Sequence, residues 1–351
     1  MTAVLSSISL LMFATVFISR AKNDYWIFRI MEYPRLQKLF LASVLIVAWL
    51  ITFPLENATE YISFGLLIVA TIYLVYKIYP YTLFCKKEML AAAPDNAAPT
   101  LKVFTANVLQ DNEDYERMLE QIRAENPDIV FLVETNKQWC KAMEVLKKDY
   151  PHCIEQPLEN TYGLLFYSRL PVDNMKINFL VKEDIPSLEA TILLKDGQKV
   201  LLFGLHPEPP VPGENLYATA KDKELMKVAL KVKECKCPCI VFGDLNDVAW
   251  SHTTELFRKT SRLLDPRIGR GFYATFSAHN RLLRFPLDYI FCSDHFRLAE
   301  MKRMPKNGSD HFATSVTLAF VPQKKQEQEA PQADTEELQE AKEKAVKLVP
   351  S

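Results

Sequence analysis

Glycine is scarce, with 9 in 351 residues. That excludes glycine-periodic fibres and leaves little material for glycine-rich phosphate loops. A surplus of positive charge is also missing: 42 Lys and Arg face 43 Asp and Glu, a formal net charge of −1. A protein that holds nucleic acid by bulk charge shows a basic excess, so that design is excluded. Cysteines number 7, an odd count without a framework of paired spacings. A disulfide-stapled secreted fold is therefore not expected, and free buried thiols are. No internal repeat is visible. Apolar material is abundant, at 49% hydrophobic and 11% aromatic residues, so the chain can bury a large core and is not disordered overall.

The apolar residues are unevenly spread. Val4 to Ile18, Leu39 to Leu55 and Tyr61 to Tyr76 are uncharged runs, close to the ~20 residues a spanning helix needs. Trp26, Trp49, Tyr61 and Tyr79 stand near their ends, as interfacial aromatics do. A membrane anchor over residues 1–86 is expected, with spans at about 3–19, 39–55 and 61–79. A signal peptide is disfavoured, because no basic n-region precedes the first run. Arg20, Lys22, Arg29, Arg35 and Lys38 lie between the first two runs, and Lys86 and Lys87 follow the third, whereas the second loop holds only Glu56 and Glu60. The positive-inside rule then puts everything after residue 86 on the cytoplasmic side.

Residues 87–100 read as an Ala/Pro linker and 321–351 as a disordered polar tail, with transient helix from Thr335 to Val346. Between them, 101–320 is one globular domain, expected to fold and work without the anchor. Strands are predicted at 101–108, 128–134, 162–168, 239–246, 286–293 and 312–320, with a hairpin over 190–206 turning at Asp196-Gly197. Helices are predicted at 115–127, 137–149 and 214–234. This mixture is α/β, two packed sheets with helices outside.

Polar side chains gather where the strands end: Asn107, Glu134, His206, Asp244 with Asn246, Asp288, and Asp310 with His311. One such residue is an ordinary turn former; six strand ends together are not. Carboxylate, amide and imidazole groups with few thiols suit a hard divalent cation, Mg²⁺ or Mn²⁺. Seven basic residues against Asp265 between Arg258 and Arg284 offer a weaker signal; Arg270, Arg281 and Arg284 are candidates for a substrate phosphate. Cys235, Cys237 and Cys239 form C-x-C-x-C but lack a fourth metal ligand.

In order along the chain, TANV, PDIVFLVE, YGLLFYSRLPV, LHPEPP, GDLND, PLDYIF and SDH resemble the signature blocks of the endonuclease/exonuclease/phosphatase superfamily. The resemblance covers nearly all of 101–320, and HPEPP with the apolar runs resembles its membrane-anchored bacterial branch. It implies a four-layer α/β sandwich, two packed β-sheets flanked by helices, here preceded by three transmembrane helices. It also implies Mg²⁺-dependent phosphoester hydrolysis. By the same resemblance, Glu134 is the principal metal carboxylate, with Asn107 and Asp310 beside it. Asp244 and Asn246 position or deprotonate water, His311 faces the phosphoryl group with Asp288 fixing its tautomer, and His206 contacts the phosphate or leaving group. Some nucleases of the superfamily carry an acid where this chain has Leu109, which favours one metal.

The expected activity is a membrane-anchored, metal-dependent phosphoester hydrolase, with lipid-linked phosphate slightly favoured as substrate and the lipid bilayer as partner. The alternatives are a DNA or RNA nuclease and, more distantly, a catalytically silent binding module. Whether Asp244 or His311 is the base stays open. The resemblance also favours an extracytoplasmic domain, against the loop charge.

Overall fold

The computed structural model describes residues 1–21, 23–93, 98–235 and 237–350. Part of the predicted linker, residues 94–97, lies outside them.

The N-terminal part holds four helices: α1 (Thr2–Phe17), α2 (Trp26–Ile30), α3 (Arg35–Ile51) and α4 (Ala58–Ile78). Three spans were expected. Two segments, Thr2–Arg20 and Ala58–Tyr81, are long and apolar enough to cross a membrane. The middle helix, α3, has 17 residues, about 26 Å of helix against a hydrocarbon core of ~30 Å. Its first turn is taken up by Arg35 and Lys38, both buried and bonded to carbonyls of Trp250, and of Thr15 and Met31. α1, α3 and α4 pack through an apolar cluster that includes Val16, Leu45, Trp49, Leu67 and Leu74, with two hydrogen bonds inside it: Trp49 Nε1 donates to Ser9 Oγ at 3.0 Å, and Ser63 Oγ to Ser6 Oγ at 3.1 Å.

Eleven strands follow among the described residues. β1 (Thr100–Asn107), β2 (Ile129–Val133), β3 (His152–Gln156), β4 (Leu164–Ser168), β10 (Phe296–Arg303) and β11 (Thr314–Phe320) form one sheet, in the order β10-β11-β1-β2-β4-β3. β5 (Val172–Asn178), β6 (Ser187–Leu193), β7 (Lys199–Leu205), β8 (Cys239–Asp244) and β9 (Asp288–Cys292) form the other, in that order. Strands β2, β4, β8 and the terminal strand β9 are buried along their whole length, which is why they read as apolar runs. The inner faces meet through Phe131 and Phe242, ring centroids 5.1 Å apart. Helices α5 (Tyr115–Glu125) and α6 (Lys137–Met143) cover the first sheet, and α7 (Thr219–Glu234) and α8 (His252–Ser261) the second. This is the expected α/β sandwich.

Three expectations about the margins are corrected. The start of the supposed linker is part of the domain: Met89 is fully buried, Glu88 pairs with Arg258, and Ala92 N donates to Leu298 O at 2.8 Å. The supposed disordered tail holds α9 (Thr335–Val346), capped by an Asp334/Glu337 box. It buries Ala341 and Ala345 against the α7 and α8 side of the second sheet. Lysines fix it there: Lys344 Nζ lies 2.6 Å from Asp222 and Lys347 Nζ 2.6 Å from Asp24. Not every cysteine is free either, since Cys235 and Cys237 form a disulfide and so cannot ligate metal.

The N-terminal helices and the domain are joined through buried groups. Arg29 bridges Asp24 and Asp222 at 2.9 and 3.1 Å. Tyr33 Oη donates to Asn246 O at 2.8 Å, and Trp250 Nε1 to Glu32 O at 2.7 Å. Tyr81 Oη donates to Ala249 O at 2.6 Å. Residue 86 is not a hinge between independent parts.

Candidate active site

Topology brings the distant polar residues to one edge. β1 and β2 are parallel, as are β7 and β8, so each pair delivers its carboxyl ends together. Asn107 ends β1, Glu134 follows β2, His206 follows β7 and Asp244 ends β8. β9 is antiparallel to β8 in a register that sets Asp288 opposite Asp244. His311 enters the same edge just before β11.

Two glycines permit the close approach. A Cβ at Gly163 would lie 1.8 Å from the carbonyl oxygen of Thr135, the residue after Glu134. Gly243, before Asp244, has φ +126°, and a Cβ there would lie 2.1 Å from Leu205 O. Glu134 and Asn246 themselves have left-handed φ values of 59° and 49°, conformations that cost energy and concentrate at functional sites.

The side chains form one hydrogen-bonded set. Asn107 Nδ2 donates to Glu134 Oε1 at 2.6 Å and to Asp244 Oδ2 at 3.0 Å, tying the two sheets. His311 Nδ1 lies 2.8 Å from Asp288 Oδ2, and its Nε2 3.5 Å from Asp244 Oδ2. Asn246 N donates to Asp244 Oδ1 at 2.9 Å, and its Nδ2 to Pro207 O at 3.0 Å, holding the loop after His206. His206 Nε2 is 3.9 Å from Glu134 Oε1. Asp310 is half-buried beside this set, close enough for its charge to act on both Glu134 and His311.

Electrostatics separates the two histidines. Burial pulls the His311 imidazole down, but the Asp288 and Asp244 carboxylates override it and carry it up to about 10. His311 is thus a cation at neutral pH. Burial pushes His206 down to about 4, so it is neutral, and its buried Nδ1 has no hydrogen-bond partner. Burial likewise lifts Glu134 to about 7, against the pull of Asn107 and His311. It raises Asp244 too, against the pull of His311.

These residues fit a divalent cation. Glu134, Asp244 and Asp310 crowd one edge where His311 is the cation among them, and buried carboxylates need a compensating charge. Asp244, Asp288 and His311 can bring three donor atoms within 4.8 Å of one another. Both nitrogens of His311, however, already face carboxylates. Glu134 and Asp310 are the freer oxygen donors, with Asn107 Oδ1, which also accepts from Leu109 N at 3.0 Å, beside them, and oxygen donors suit a hard ion.

The arginines divide. Arg270 faces away from this edge, its guanidinium held by Pro266 O and Met89 O at 3.1 and 2.6 Å. Arg258 and Arg267 serve Glu88 and Asp265. Arg284 lies over the Phe312 ring at 5.0 Å, next to His311, and Arg281 is exposed on the same loop.

Sequence reasoning missed several supporting residues. Ser309 Oγ donates to Asn107 O and accepts from His311 N, both at 2.9 Å, locking the SDH turn to β1. Lys221 Nζ pairs with Asp247 at 2.6 Å behind the Asp244 loop, and Arg303 lies over Phe312 at 4.4 Å. Only Ser309 carried a signal, through its place in the SDH block.

A profile of the Endonuclease/Exonuclease/phosphatase family matches residues 104–311, more than half of the chain, and the chain belongs to that family. Members are metal-dependent phosphoester hydrolases, and this protein is one. Similar solved structures include an endonuclease/exonuclease/phosphatase from Beutenbergia cavernae, at 18% identity and TM-score 0.52 over 64% of this chain and 72% of that one. D. rerio TDP2, complexed with single-strand DNA product, matches at 19% identity and TM-score 0.52, covering 62% of this chain and 98% of its own. The human Nocturnin catalytic domain with bound sulfate matches at 20% and 0.51, covering 64% and 94%. At these identities the likeness is one of fold. A search of curated protein sequences finds no significant match.

Proposed function

We propose that this protein is a membrane-anchored hydrolase acting on the phosphoester or pyrophosphate of a membrane lipid, with Mg²⁺ or Mn²⁺ as its metal. The observation that carries the reading is the bond from Tyr33, in the loop between α1 and α3, to the carbonyl of Asn246 in the catalytic loop. The anchor builds the back wall of the site, which is thereby held against the bilayer.

The helices support the membrane part. Phe40, Val47, Ile51, Ile62 and Ile72 point outward, an apolar outer surface that water would penalise and lipid would not. Because the α1–α3 loop touches the same domain that follows α4, an even number of crossings separates them. α3 and α4 therefore cross together or not at all. Arg29 and Arg35 are spent on Asp222 and Glu32, which weakens the loop-charge argument for a cytoplasmic domain.

Glu134, Asn107 and Asp310 would hold the ion, which supplies charge neutralisation at the phosphoryl oxygens and acidifies water. His311, kept protonated by Asp288, offers a fixed cation to the phosphoryl group. It cannot also take a proton, so Asp244 is the base, oriented by Asn107 Nδ2 and Asn246 N and given proton affinity by burial. Asn246 and neutral His206 line the leaving-group side through Pro207.

A nuclease is the second reading. Arg284 and Arg303 flank Phe312 beside His311, a surface able to meet a polynucleotide backbone. The test is Mg²⁺-dependent hydrolysis by the full-length protein in nanodiscs, with prenyl pyrophosphate, phosphoinositides, duplex DNA and RNA as substrates. Turnover of a lipid is expected. Faster cleavage of DNA or RNA would replace the lipid reading with the nuclease one.

A further inference from the structure

The loop between α8 and β9 ends in a hairpin, 276–285, rooted in the active site. At its base, Phe276 and Phe285 bridge each other. The Phe276 ring lies 5.0 Å from the His311 ring, and the Phe285 ring 5.6 Å from that of Tyr33. Ala278 N donates to Asp310 O at 2.6 Å. The base is thus fixed to the two residues after Ser309 and to the anchor loop.

The tip has the opposite character. Leu282 is 80% and Leu283 50% exposed, between exposed Arg281 and half-buried Arg284, with exposed His279 nearby. Adjacent exposed leucines cost solvation free energy unless something apolar covers them. The tip also has a defined neighbour: Gln37 Nε2, in the first turn of α3, donates to Leu282 O at 2.6 Å. The outward face of that same helix continues through Leu36, Phe40, Leu41 and Val44, all exposed. The leucines therefore begin where the apolar face of the anchor begins, at the depth of a helix end and so of lipid headgroups. Basic residues around an apolar tip suit an interface carrying phosphate.

We infer that hairpin 276–285 is a bilayer-contacting arm, with Leu282 and Leu283 seated in the leaflet beside α3 and Arg281 at the lipid phosphates, so that the site opens onto the membrane surface. What passes along the arm into the site, a lipid phosphoester, rests on the function proposed above. The contact between arm and leaflet rests only on the membrane part of that reading.

Two measurements on the full-length protein in phosphatidylcholine/phosphatidylglycerol nanodiscs test this. In the first, Leu282→Trp is placed in brominated and ordinary lipids. Quenching beyond that of the unaltered protein is expected, and equal quenching overturns the arm whatever the substrate. In the second, turnover of a prenyl pyrophosphate in the nanodisc is divided by turnover of a soluble chromogenic phosphodiester. For Leu282→Asp/Leu283→Asp that ratio should fall about ten-fold or more, from the lost apolar burial, and Leu282→Phe/Leu283→Phe should restore it. An unchanged ratio overturns the arm. If the unaltered protein hydrolyses no lipid, the lipid-phosphate reading fails and the quenching result alone decides the arm.

Discussion

Asp288→Asn removes the negative charge 2.8 Å from His311 Nδ1 while keeping a side chain of the same shape. Burial opposes the imidazolium, and Asp288 is the largest force that restores it, ahead of Asp244. Two unit charges about 4 Å apart at an effective dielectric near 20 attract by about 4 kcal/mol. At about 1.4 kcal/mol per pH unit that is worth roughly three pH units. The imidazole, at about 10 in the native protein, should then titrate near pH 7 in the variant. The sign follows. A raised imidazole contributes fully below its unfolded value of 6.5 and loses that contribution as pH rises through about 10. The alkaline limb of kcat/KM on a soluble phosphodiester should therefore move from near pH 10 to near pH 7. At about pH 9 the variant should run on the order of 100-fold below the native enzyme, and at about pH 6 the gap should be much smaller. A uniform loss across pH, with the limb unmoved, would refute the claim that Asp288 holds the proton on His311 and leave it only an orienting role.

Deleting residues 1–86 removes the Tyr33, Glu32, Arg29 and Tyr81 bonds to the domain, so the remainder should aggregate or lose most of its activity. A monodisperse fragment with native kcat/KM would contradict this. Asp222→Ala leaves Arg29 and Lys344 short of a buried carboxylate; a loss of about 3–5 kcal/mol is expected, read as a fall of roughly 10 °C in thermal unfolding, and a change under about 2 °C would refute it. Glu134 sits at about 7, so its raised carboxyl favours the metal-free fold at low pH and loses that contribution as pH rises through this value. Mg²⁺ should accordingly raise the unfolding temperature more at about pH 8 than at about pH 5. Glu134→Gln should flatten that difference, and an equal metal effect at both pH values would count against Glu134 as a ligand.

The residues legible in the sequence share one property: each sits at or next to one end of a strand whose apolar run is visible by itself. Glu134 after IVFLV and Asp244 after CIVFG stand out because both faces of β2 and β8 are buried. Two edge strands are not legible, unlike β9, whose buried run stands out at its sheet's other edge. β5 (VDNMKIN) and β10 (FRLAEMKR) carry the charges that protect a sheet margin, and so read as loop. α8 was hidden in the basic stretch, because Arg258 and Lys259 find their acids in Glu88 and Glu337, far along the chain. α9 was set aside as solvated because its buried contacts are alanines, whose hydrophobic signal is weak. Arg29 and Arg35 have the structural roles that are hardest to see in the sequence. As loop charges they signalled topology, but their partners, Asp222 and the Trp250 carbonyl, lie about 200 residues away, beyond any periodicity.

The position of α9 in the chain bears on how the protein is made. Lys344 and Lys347 neutralise Asp222 and Asp24, and Asp24 lies 323 residues before Lys347 in the chain. At about 5–20 residues per second, the two ends of that second bond are synthesised tens of seconds apart. From the synthesis of α7 until that of α9, the nascent α2–α7 junction holds two aspartates around a single arginine, Arg29. A premature stop just before Lys344 would leave every catalytic side chain encoded and yet release a chain in that half-neutralised state, the kind of product that proteolytic surveillance removes.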